Sequence, residues 1–238
     1  MVIIDIDDKS MAEQGRFPWS RSKMAELVSK LTEAGVIVIA FDIFFSEPEI
    51  NPVSQIESEF PNFINSNKLT INEVKKKIDA DSKFANVLSN NDTVLGFLLN
   101  NETHQQINPL PSSSVNWVLD DQNNSQFIEF SGAAVNIPTL QNKASGNGFI
   151  NAHSENDGFI RKASLVHKVG NTLYPSLALE AARLYTLADK IQTRSHILNN
   201  ITLFDGIKFN DQWIQTDEYG KILIPYKGPA GSFTYYSA

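Results

Sequence analysis

One stretch of this sequence restricts the possible folds more than any other, namely the apolar run from Val36 to Phe45. Its first four residues are β-branched, and Asp42 is the one polar residue inside it. Runs of this kind are typical of strands covered on both faces, as the central strands of a parallel sheet are. Gly35 stands directly before the run, where a glycine commonly ends a helix. The run therefore predicts a buried strand that follows a helix at once, as in an α/β fold.

The residues around this run predict a βαβαβ arrangement over residues 1–100. Val2 to Asp7 is a short apolar segment interrupted by carboxylates, and it is predicted to be a buried strand. A helix with Ser20 or Ser22 as its N-cap is expected next, because four apolar residues recur at helical spacing: Met24, Leu27, Val28 and Leu31. A further helix precedes a third strand at Thr93–Leu99. Because strand, helix and strand alternate, a mainly parallel sheet flanked by helices is predicted.

The second half has a different pattern. Gly146-Asn147-Gly148 is predicted to be a turn, and Ser176 is predicted to cap a helix. Three short strands are predicted to end the chain, at Ile201–Phe209, Trp213–Thr216 and Lys221–Tyr226. Residues 146–238 therefore form a hairpin-rich, antiparallel part with one helix. The predicted class is α/β to α+β, in a single domain over residues 1–238.

Composition excludes several classes of site. The chain has no cysteine, so it has no disulfide, no thiolate metal site and no thiol nucleophile. Its net charge is −7 and no dense basic patch is present, which argues against nucleic acid as a partner. No glycine-rich phosphate loop or Gly-x-Ser-x-Gly elbow occurs. The four scattered histidines are expected at the surface or in turns: His104, His153, His167 and His196. No cofactor and no metal site are predicted.

Three carboxylates form the first candidate site. Asp5, Asp7 and Asp42 fall near the carboxyl ends of predicted strands, where open α/β sheets bind ligands. They can hold Mg²⁺ or accept hydrogen bonds from a ligand. Equally, each can cap a turn or pair with Arg16 or Arg21. The residues alone leave these alternatives open.

Two further patches complete the candidate ligand-binding set. In Phe17-Pro18-Trp19-Ser20-Arg21, Trp19 offers a flat face and Arg21 a fork that suits carboxylates. The alternative is an aromatic contact that fixes the start of the helix, with Arg21 paired to Asp7 or Asp42. At Asp157-Gly158-Phe159-Ile160-Arg161, a turn locked by an Asp157–Arg161 ion pair is favoured over a ligand contact.

An enzymatic alternative rests on Asp5 and Asp7. An apolar strand that ends in Asp-x-Asp resembles the first motif of haloacid-dehalogenase-type phosphatases, in which the first Asp attacks phosphorus and the second is the acid/base. Lys9 stands where that family usually has Thr or Val, and the downstream motifs are missing.

The two ends of the sequence suggest a piece of a longer protein. No apolar run approaches the ~18–20 residues of a membrane span. A strand is predicted immediately after Met1, and the last residues, 233–238, are aromatic and β-prone. We therefore expect an excised segment of a longer protein.

Several segments together resemble the CHASE domain of type two (CHASE2, cyclases/histidine kinases associated sensory extracellular). They are Val2–Ser10, Gly15–Arg21, Leu27–Leu31, Gly35, Ile39–Pro48, Gly148–Asn151, Asp157–Arg161 and Tyr174–Ala178. The pieces Pro18-Trp19-Ser20-Arg21 and Ala40-Phe41-Asp42 are the most specific. The resemblance covers most of the chain, least clearly residues 50–80 and 100–145. The family usually continues after the Tyr235-Tyr236-Ser237-Ala238 stretch into another apolar strand, so the resemblance implies a domain truncated at its C-terminal end, whose sheet can lack a strand and expose an edge.

The resemblance implies a sensor domain outside the cytoplasmic membrane of a bacterium, tethered by membrane helices that this chain lacks. It implies a cytoplasmic output such as an adenylate cyclase, a histidine kinase or a Ser/Thr kinase, and no catalytic residue in the domain itself. The expected partner is a small-molecule or protein signal. The alternatives are a Mg-dependent phosphohydrolase and a homodimerisation module without a small ligand.

Overall fold

The computed structural model describes residues 1–60, 68–102, 108–116, 127–198 and 201–238. Within these residues the chain is a mixed α/β protein whose strands form several small sheets, some of them parallel. The predicted fold class is confirmed. The several Asn, Gln and Ser of residues 100–126 also predict a loop, and this segment lies partly outside the described residues.

Seven helices are described. They are α1 (Asp8–Gln14), α2 (Arg21–Glu33), α3 (Pro52–Glu59), α4 (Lys68–Lys77), α5 (Ala80–Ser89), α6 (Pro138–Gln141) and α7 (Leu177–Tyr185).

The described residues contain fifteen strands. They are β1 (Val2–Asp5), β2 (Val38–Phe41), β3 (Asp92–Asn100), β4 (Val115–Asn116), β5 (Glu129–Phe130), β6 (Gly132–Ala134), β7 (Gly146–Phe149), β8 (Lys162–Ser164), β9 (Val166–Val169), β10 (Thr172–Pro175), β11 (Ile191–Leu198), β12 (Ile201–Phe209), β13 (Gln212–Gln215), β14 (Lys221–Leu223) and β15 (Thr234–Ser237).

The central strand of the first half is β3. It pairs in parallel with β2 and with β7, and antiparallel with β6 near its end. Five consecutive residues of β3, from Thr93 to Phe97, are buried. The predicted central strand, in contrast, forms only β2, which stops at Phe41 and leaves Ile37 exposed. Strand β2 therefore lies at the edge of this sheet. The second half of the apolar run leaves the strand and places Phe45 in the core.

The first strand, β1, does not pair with β2. It pairs in parallel with β15, so that Val2 lies opposite Thr234 and Asp5 opposite Ser237. The first two predicted strands therefore do not form the hydrogen-bonded parallel pair that a βαβ unit requires. The two ends of the described chain instead lie side by side.

Helices α2 and α5 cover one side of the first sheet. The buried face of α2 consists of Met24, Ala25 and Val28, and Ser20 caps the helix by accepting from the Lys23 amide, as predicted. Phe84 and Leu88 of α5 pack into the same core, with Phe84 edge-to-face against Phe45. Gly35 has φ +86°, which favours glycine at the end of α2.

The three strands predicted near the end of the chain are present as β12, β13 and β14, and β12 and β13 form an antiparallel hairpin. Strand β14 pairs antiparallel with β8 instead of with β13, and strand β11 was not predicted. Strands β11, β12 and β13 form a meander, and β4 joins β11 in parallel. Ser176 caps α7, as predicted. This half has its own core, in which Leu179 of α7 packs with Val115, Ile191 and Ile207.

The Gly146-Asn147-Gly148 segment is strand β7 and not the predicted turn. A Cβ on Gly148 would lie 2.6 Å from the backbone of Leu177, and a Cβ on Gly146 would collide with the Glu180 carboxylate. Both positions require glycine because α7 packs directly against this strand and leaves no space for a Cβ atom. They place one face of α7 in contact with the sheet of the first half.

In the described part of the chain, no helix combines the length and the apolar character needed to cross a bilayer.

Candidate functional site

The three carboxylates of the predicted strand-end site are not joined by any contact among the described residues. Asp5 is exposed at the end of β1, where its backbone carbonyl accepts from the Ala238 amide (2.9 Å). Asp42 is exposed beyond β2. Because β1 and β2 belong to different sheets, their carboxyl ends do not form one ligand-binding edge. Asp5 and Asp7 also do not share a strand face, since β1 ends at Asp5.

Asp7 holds two elements together. Its carboxylate accepts from the Ser10 amide (2.8 Å) as the N-cap of α1, and from the Ser237 hydroxyl (2.7 Å) of β15. These hydrogen bonds, that from Ser237 above all, lower the pKa of Asp7. Asp7 therefore caps a helix, which was one of the two roles predicted for it beside ligand binding.

Trp19 lies in the core and is 6% exposed. Its indole Nε1 donates to the Gly15 carbonyl (2.6 Å), and its ring meets Phe17 edge-to-face. Trp19 therefore makes the aromatic contact at the start of α2 that was the alternative to a ligand-binding role.

Arg21 pairs with neither Asp7 nor Asp42. Its Nε lies 3.4 Å from Asp81 Oδ1, in a largely buried ion pair between α2 and α5. The guanidinium also stacks over Phe45, 4.4 Å from the ring centroid. Burial raises the pKa of Asp81, against the opposing effects of the Glu49 amide and Arg21. Sequence pattern could not supply this partner, since Asp81 is sixty residues away in the chain.

Asp157 and Arg161 form the predicted turn with its ion pair. Arg161 Nη2 lies 2.8 Å from Asp157 Oδ2, and Arg161 Nη1 lies 2.7 Å from Glu155. All three side chains are about half exposed, and the hydrogen bond from Arg161 lowers the pKa of Asp157. The patch lies at the surface, and no described contact joins it to the other candidates.

His167 corrects the expectation that the histidines are superficial. It lies on β9, is 0% exposed and packs between Phe149 and Phe130, with ring centroids 4.3 and 5.2 Å away. Neither ring nitrogen has a hydrogen-bond partner. Burial lowers the pKa of His167 to about 3, so the ring is neutral near pH 7.

In the part of the chain that the structure describes, a further candidate site is a polar cavity that none of these residues lines. It has a volume of about 290 Å³ and lies where α6, β7, α7 and the segments before β4 and β11 meet. Its lining comes from residues 112–114, 141–142, 144–147, 180, 183 and 189–190. The cavity thus lies between the core that contains Leu140 and the core that contains Leu179.

One wall of the cavity is a buried ion pair on α7. Arg183 donates from Nε and Nη2 to the two oxygens of Glu180, at 3.0 and 2.8 Å, and from Nη1 to the Ala188 carbonyl (2.7 Å). The side chains are 11% and 3% exposed. The Ser114 hydroxyl donates to Glu180 as well. Each charge is therefore already paired and hydrogen-bonded within the protein.

Two amide side chains on another wall are incompletely satisfied. Gln141 is 3% exposed and donates from Nε2 to the Pro109 carbonyl (3.0 Å), while Asn147 donates from Nδ2 to the Gln141 carbonyl (3.3 Å). The oxygens Gln141 Oε1 and Asn147 Oδ1 are buried and have no hydrogen-bond partner. Buried acceptors without a donor are rare and costly.

The chemistry of this arrangement is that of binding. The residues present hydrogen-bonding groups around a cavity, and among the described residues no group of His, Asp and Glu side chains has the geometry to hold a metal ion. The site has no local signature in the sequence, because its lining comes from segments that are far apart in the chain. The Glu180–Arg183 pair at i, i+3 on the buried side of α7 is the signal that could have pointed to it.

Comparison with known proteins gives one match. The model of one protein family, described as the CHASE2 domain, matches residues 1–238, the whole chain. No curated protein and no solved structure matches it.

Proposed function

The chain belongs to the CHASE2 domain family, whose members are extracytoplasmic sensor domains, and from this premise we propose that it binds the signal of a bacterial transmembrane receptor. The observation that carries the proposal is the family match over all 238 residues. On this proposal the domain binds its signal without transforming it, and the output resides in a cytoplasmic adenylate cyclase, histidine kinase or Ser/Thr kinase of the full-length protein.

The cavity supports a binding role. It lies between two cores of the protein, since β7 and α6 belong to the first sheet and its core, whereas Asp189 and Ser114 lie next to strands of the second sheet. Ligand sites are common at such junctions. A bound molecule that contacts elements of both cores favours one relative placement of these elements, and a ligand shifts a receptor only through such differential affinity.

Location and partners follow from the same proposal. The domain lies in the periplasm or at the cell exterior, and membrane helices outside this chain anchor it. Its partner is a small-molecule or protein signal. The exposed residues of the sequence-predicted set remain candidates for contact with a larger signal or with a second copy of the chain: Asp5, Asp42, Asp157 and Arg161.

The absence of cysteine gives a direct test of location. A single Asp8→Cys substitution in the full-length protein places a thiol on the exposed first turn of α1. Intact cells are treated with a membrane-impermeant maleimide, with the unsubstituted protein as the control. We expect labelling in intact cells. Labelling of the variant only after lysis would place the domain in the cytoplasm and overturn the proposal.

A further inference from the structure

We propose that helix α7 is an interaction surface on which the α7 helix of a second copy of this chain docks, so that the domain forms a two-fold symmetric dimer. The inference goes beyond the proposed sensory function, because it concerns assembly and needs no ligand. It is argued from the distribution of polarity around α7, from the shape of its outer side and from its charge.

The polarity of α7 is inverted with respect to an ordinary surface helix. Its two charged residues, Glu180 and Arg183, are buried, whereas every other residue of the helix is hydrophobic. Ala178 and Tyr185 are exposed, Tyr185 by 65%. A surface helix normally directs its apolar stripe to the core and its charged residues to solvent. The solvent side of α7 therefore has the composition of a helix face that is covered.

The chain directly after α7 extends this apolar surface. Leu187 is 86% exposed and has φ +56°, a left-handed conformation that is uncommon for a residue with a Cβ atom. Its amide donates to the Leu184 carbonyl (3.0 Å), which holds this backbone at the end of the helix. The conformation and the exposure both cost free energy, and a partner that buries the side chain recovers the second cost.

The opposite side of α7 is already in use, so only its outer face can receive a partner. The helix contacts strands β2, β3 and β7 of the first sheet, and Leu179 packs into the second core. The positions that point away from these contacts define the outer face of α7, which consists of Ala178, Ala181, Ala182 and Tyr185.

The outer face is complementary to itself in shape. Ala178 and Tyr185 are seven residues apart, and Ala181 and Ala182 lie midway between them. A two-fold axis at that midpoint places the aromatic ring of each Tyr185 against the small Ala178 of the other copy. Alanines at the centre let two antiparallel helices approach to about 8 Å. The same surface on two copies thus forms an isologous contact.

Charge favours the same occupant. Two-fold symmetry brings identical side chains together, and among the described residues of α7 none on the outer face is charged. A membrane surface suits this face less, because membrane-binding helices carry Lys and Arg beside their apolar face. The first charged residues after α7, Asp189 and Lys190, are of opposite sign. An extended peptide finds no strand edge on a helix face.

The size of the face predicts a weak dimer. A helix of nine residues is about 13 Å long and covers less than the roughly 800 Å² per partner of a standard interface. We therefore expect a dissociation constant in the micromolar range, from about 1 µM to 1 mM.

The decisive variants place a charge on the outer face. Ala178→Glu adds an acid in the first turn of α7 and Tyr185→Lys a base in the last turn, where the helix dipole favours each charge. Both positions are exposed, so the monomer keeps its fold and stability. In the dimer each new charge is buried without a partner, so each variant should weaken dimerisation at least tenfold.

The double variant Ala178→Glu/Tyr185→Lys tests the antiparallel arrangement. Here the new carboxylate of one copy meets the new ammonium group of the other, so dimerisation should recover in part at low salt. The matched control is Leu223→Lys on β14, which also replaces a large, 72% exposed hydrophobic residue by lysine. This control should dimerise as the wild type does.

Association is measured by sedimentation equilibrium of the 238-residue chain from about 5 to 500 µM, a range that brackets the expected constant. A concentration-dependent dimer that both single variants weaken, and Leu223→Lys does not, is the expected result. The inference is overturned if the wild type stays monomeric over this range, or if the single variants dimerise as the wild type does.

Cross-linking and vesicle binding distinguish the occupants of the face. Because the chain has no cysteine, Ala181→Cys should give a disulfide-linked dimer on mild oxidation, whereas Leu223→Cys should stay monomeric. Absence of the first cross-link contradicts the two-fold contact. Cosedimentation of a monomeric wild type with phosphatidylglycerol vesicles, abolished by Ala178→Glu, would assign the face to a membrane and overturn the inference.

Discussion

At the residue scale, the buried Glu180–Arg183 pair determines how substitutions in the cavity wall behave. Arg183 donates to both carboxylate oxygens and to the Ala188 carbonyl. Removing one partner of such a pair leaves the other charge buried without compensation. Breaking the pair is thus expected to lower stability strongly, whereas replacing both residues by apolar ones is expected to lower it much less.

We predict that Arg183→Met lowers the free energy of unfolding by about 3–5 kcal/mol. The double variant Glu180→Leu/Arg183→Met should recover a large part of this loss, because no charge is then left unpaired. Denaturant titrations of both proteins measure the difference. Arg161→Met, at an exposed pair, is the control and should cost far less. Equal losses in the single and double variants would contradict the explanation.

His167 predicts an acid-sensitive stability. Its pKa is about 3 in the folded protein and about 6.5 when unfolded. Between these values the unfolded chain binds the proton and the folded chain does not, so stability falls as the pH drops from about 6.5 towards about 3. The slope from this residue is at most about 1.4 kcal/mol per pH unit.

His167→Leu should therefore flatten the dependence of the unfolding free energy on pH in this window. Urea titrations at several pH values measure it, with His196→Leu, at a half-exposed side chain, as the comparison. A slope that is the same for His167→Leu and the wild type would show that the buried imidazole does not cause the acid sensitivity.

At the element scale, helix α5 depends on its cap. Asp79 accepts from the amide and the hydroxyl of Ser82, at 3.0 and 2.7 Å, and the helix carries Phe84 and Leu88 into the first core. Asp79→Ala should cost about 0.5–2 kcal/mol, the usual range for the loss of an N-cap. Asn86→Ala, at an exposed position of the same helix, should cost much less. Thermal unfolding compares the two variants.

The elements that sequence predicted well are those specified by neighbours in the chain. The Ser20 and Ser176 caps, the buried face of α2, strand β3 and the hairpin of β12 and β13 all depend on residues a few positions apart. Periodicity and capping chemistry act over that distance. The turn predicted at Gly146 failed because its glycines serve a distant helix, α7, rather than the local backbone.

The candidate site was less predictable because its contacts join residues that are far apart in the chain. The partner of Arg21 lies on α5, the partner of β1 is β15, and the cavity combines segments from residue 112 to residue 190. A single sequence contains no local signal for such contacts. The Asp157–Arg161 pair, four residues apart, was predictable, and the structure shows it.

At the scale of the whole molecule, the pairing of β1 with β15 can be tested by cross-linking. Val2 and Thr234 lie opposite each other, both are exposed, and the chain has no other cysteine to interfere. The Val2→Cys/Thr234→Cys variant should form a disulfide on mild oxidation and gain about 2–5 kcal/mol, since the bridge closes nearly the whole chain. Gel mobility and denaturation with and without reductant measure both effects.

A second pair is the control for proximity. Val2→Cys/Tyr226→Cys joins two exposed positions that no strand pairing brings together. It should remain reduced under the same conditions. Failure of the first pair to cross-link would show that β1 and β15 do not pair in solution.

The parallel direction of β1 and β15 also determines how the domain responds to force. In a parallel pair, the chain enters at one end of the ladder and leaves at the other. Tension applied to residues 1 and 238 therefore pulls the two strands past each other along their length. The hydrogen bonds of the ladder then share the load together instead of opening one after another, so this short pair is loaded in shear.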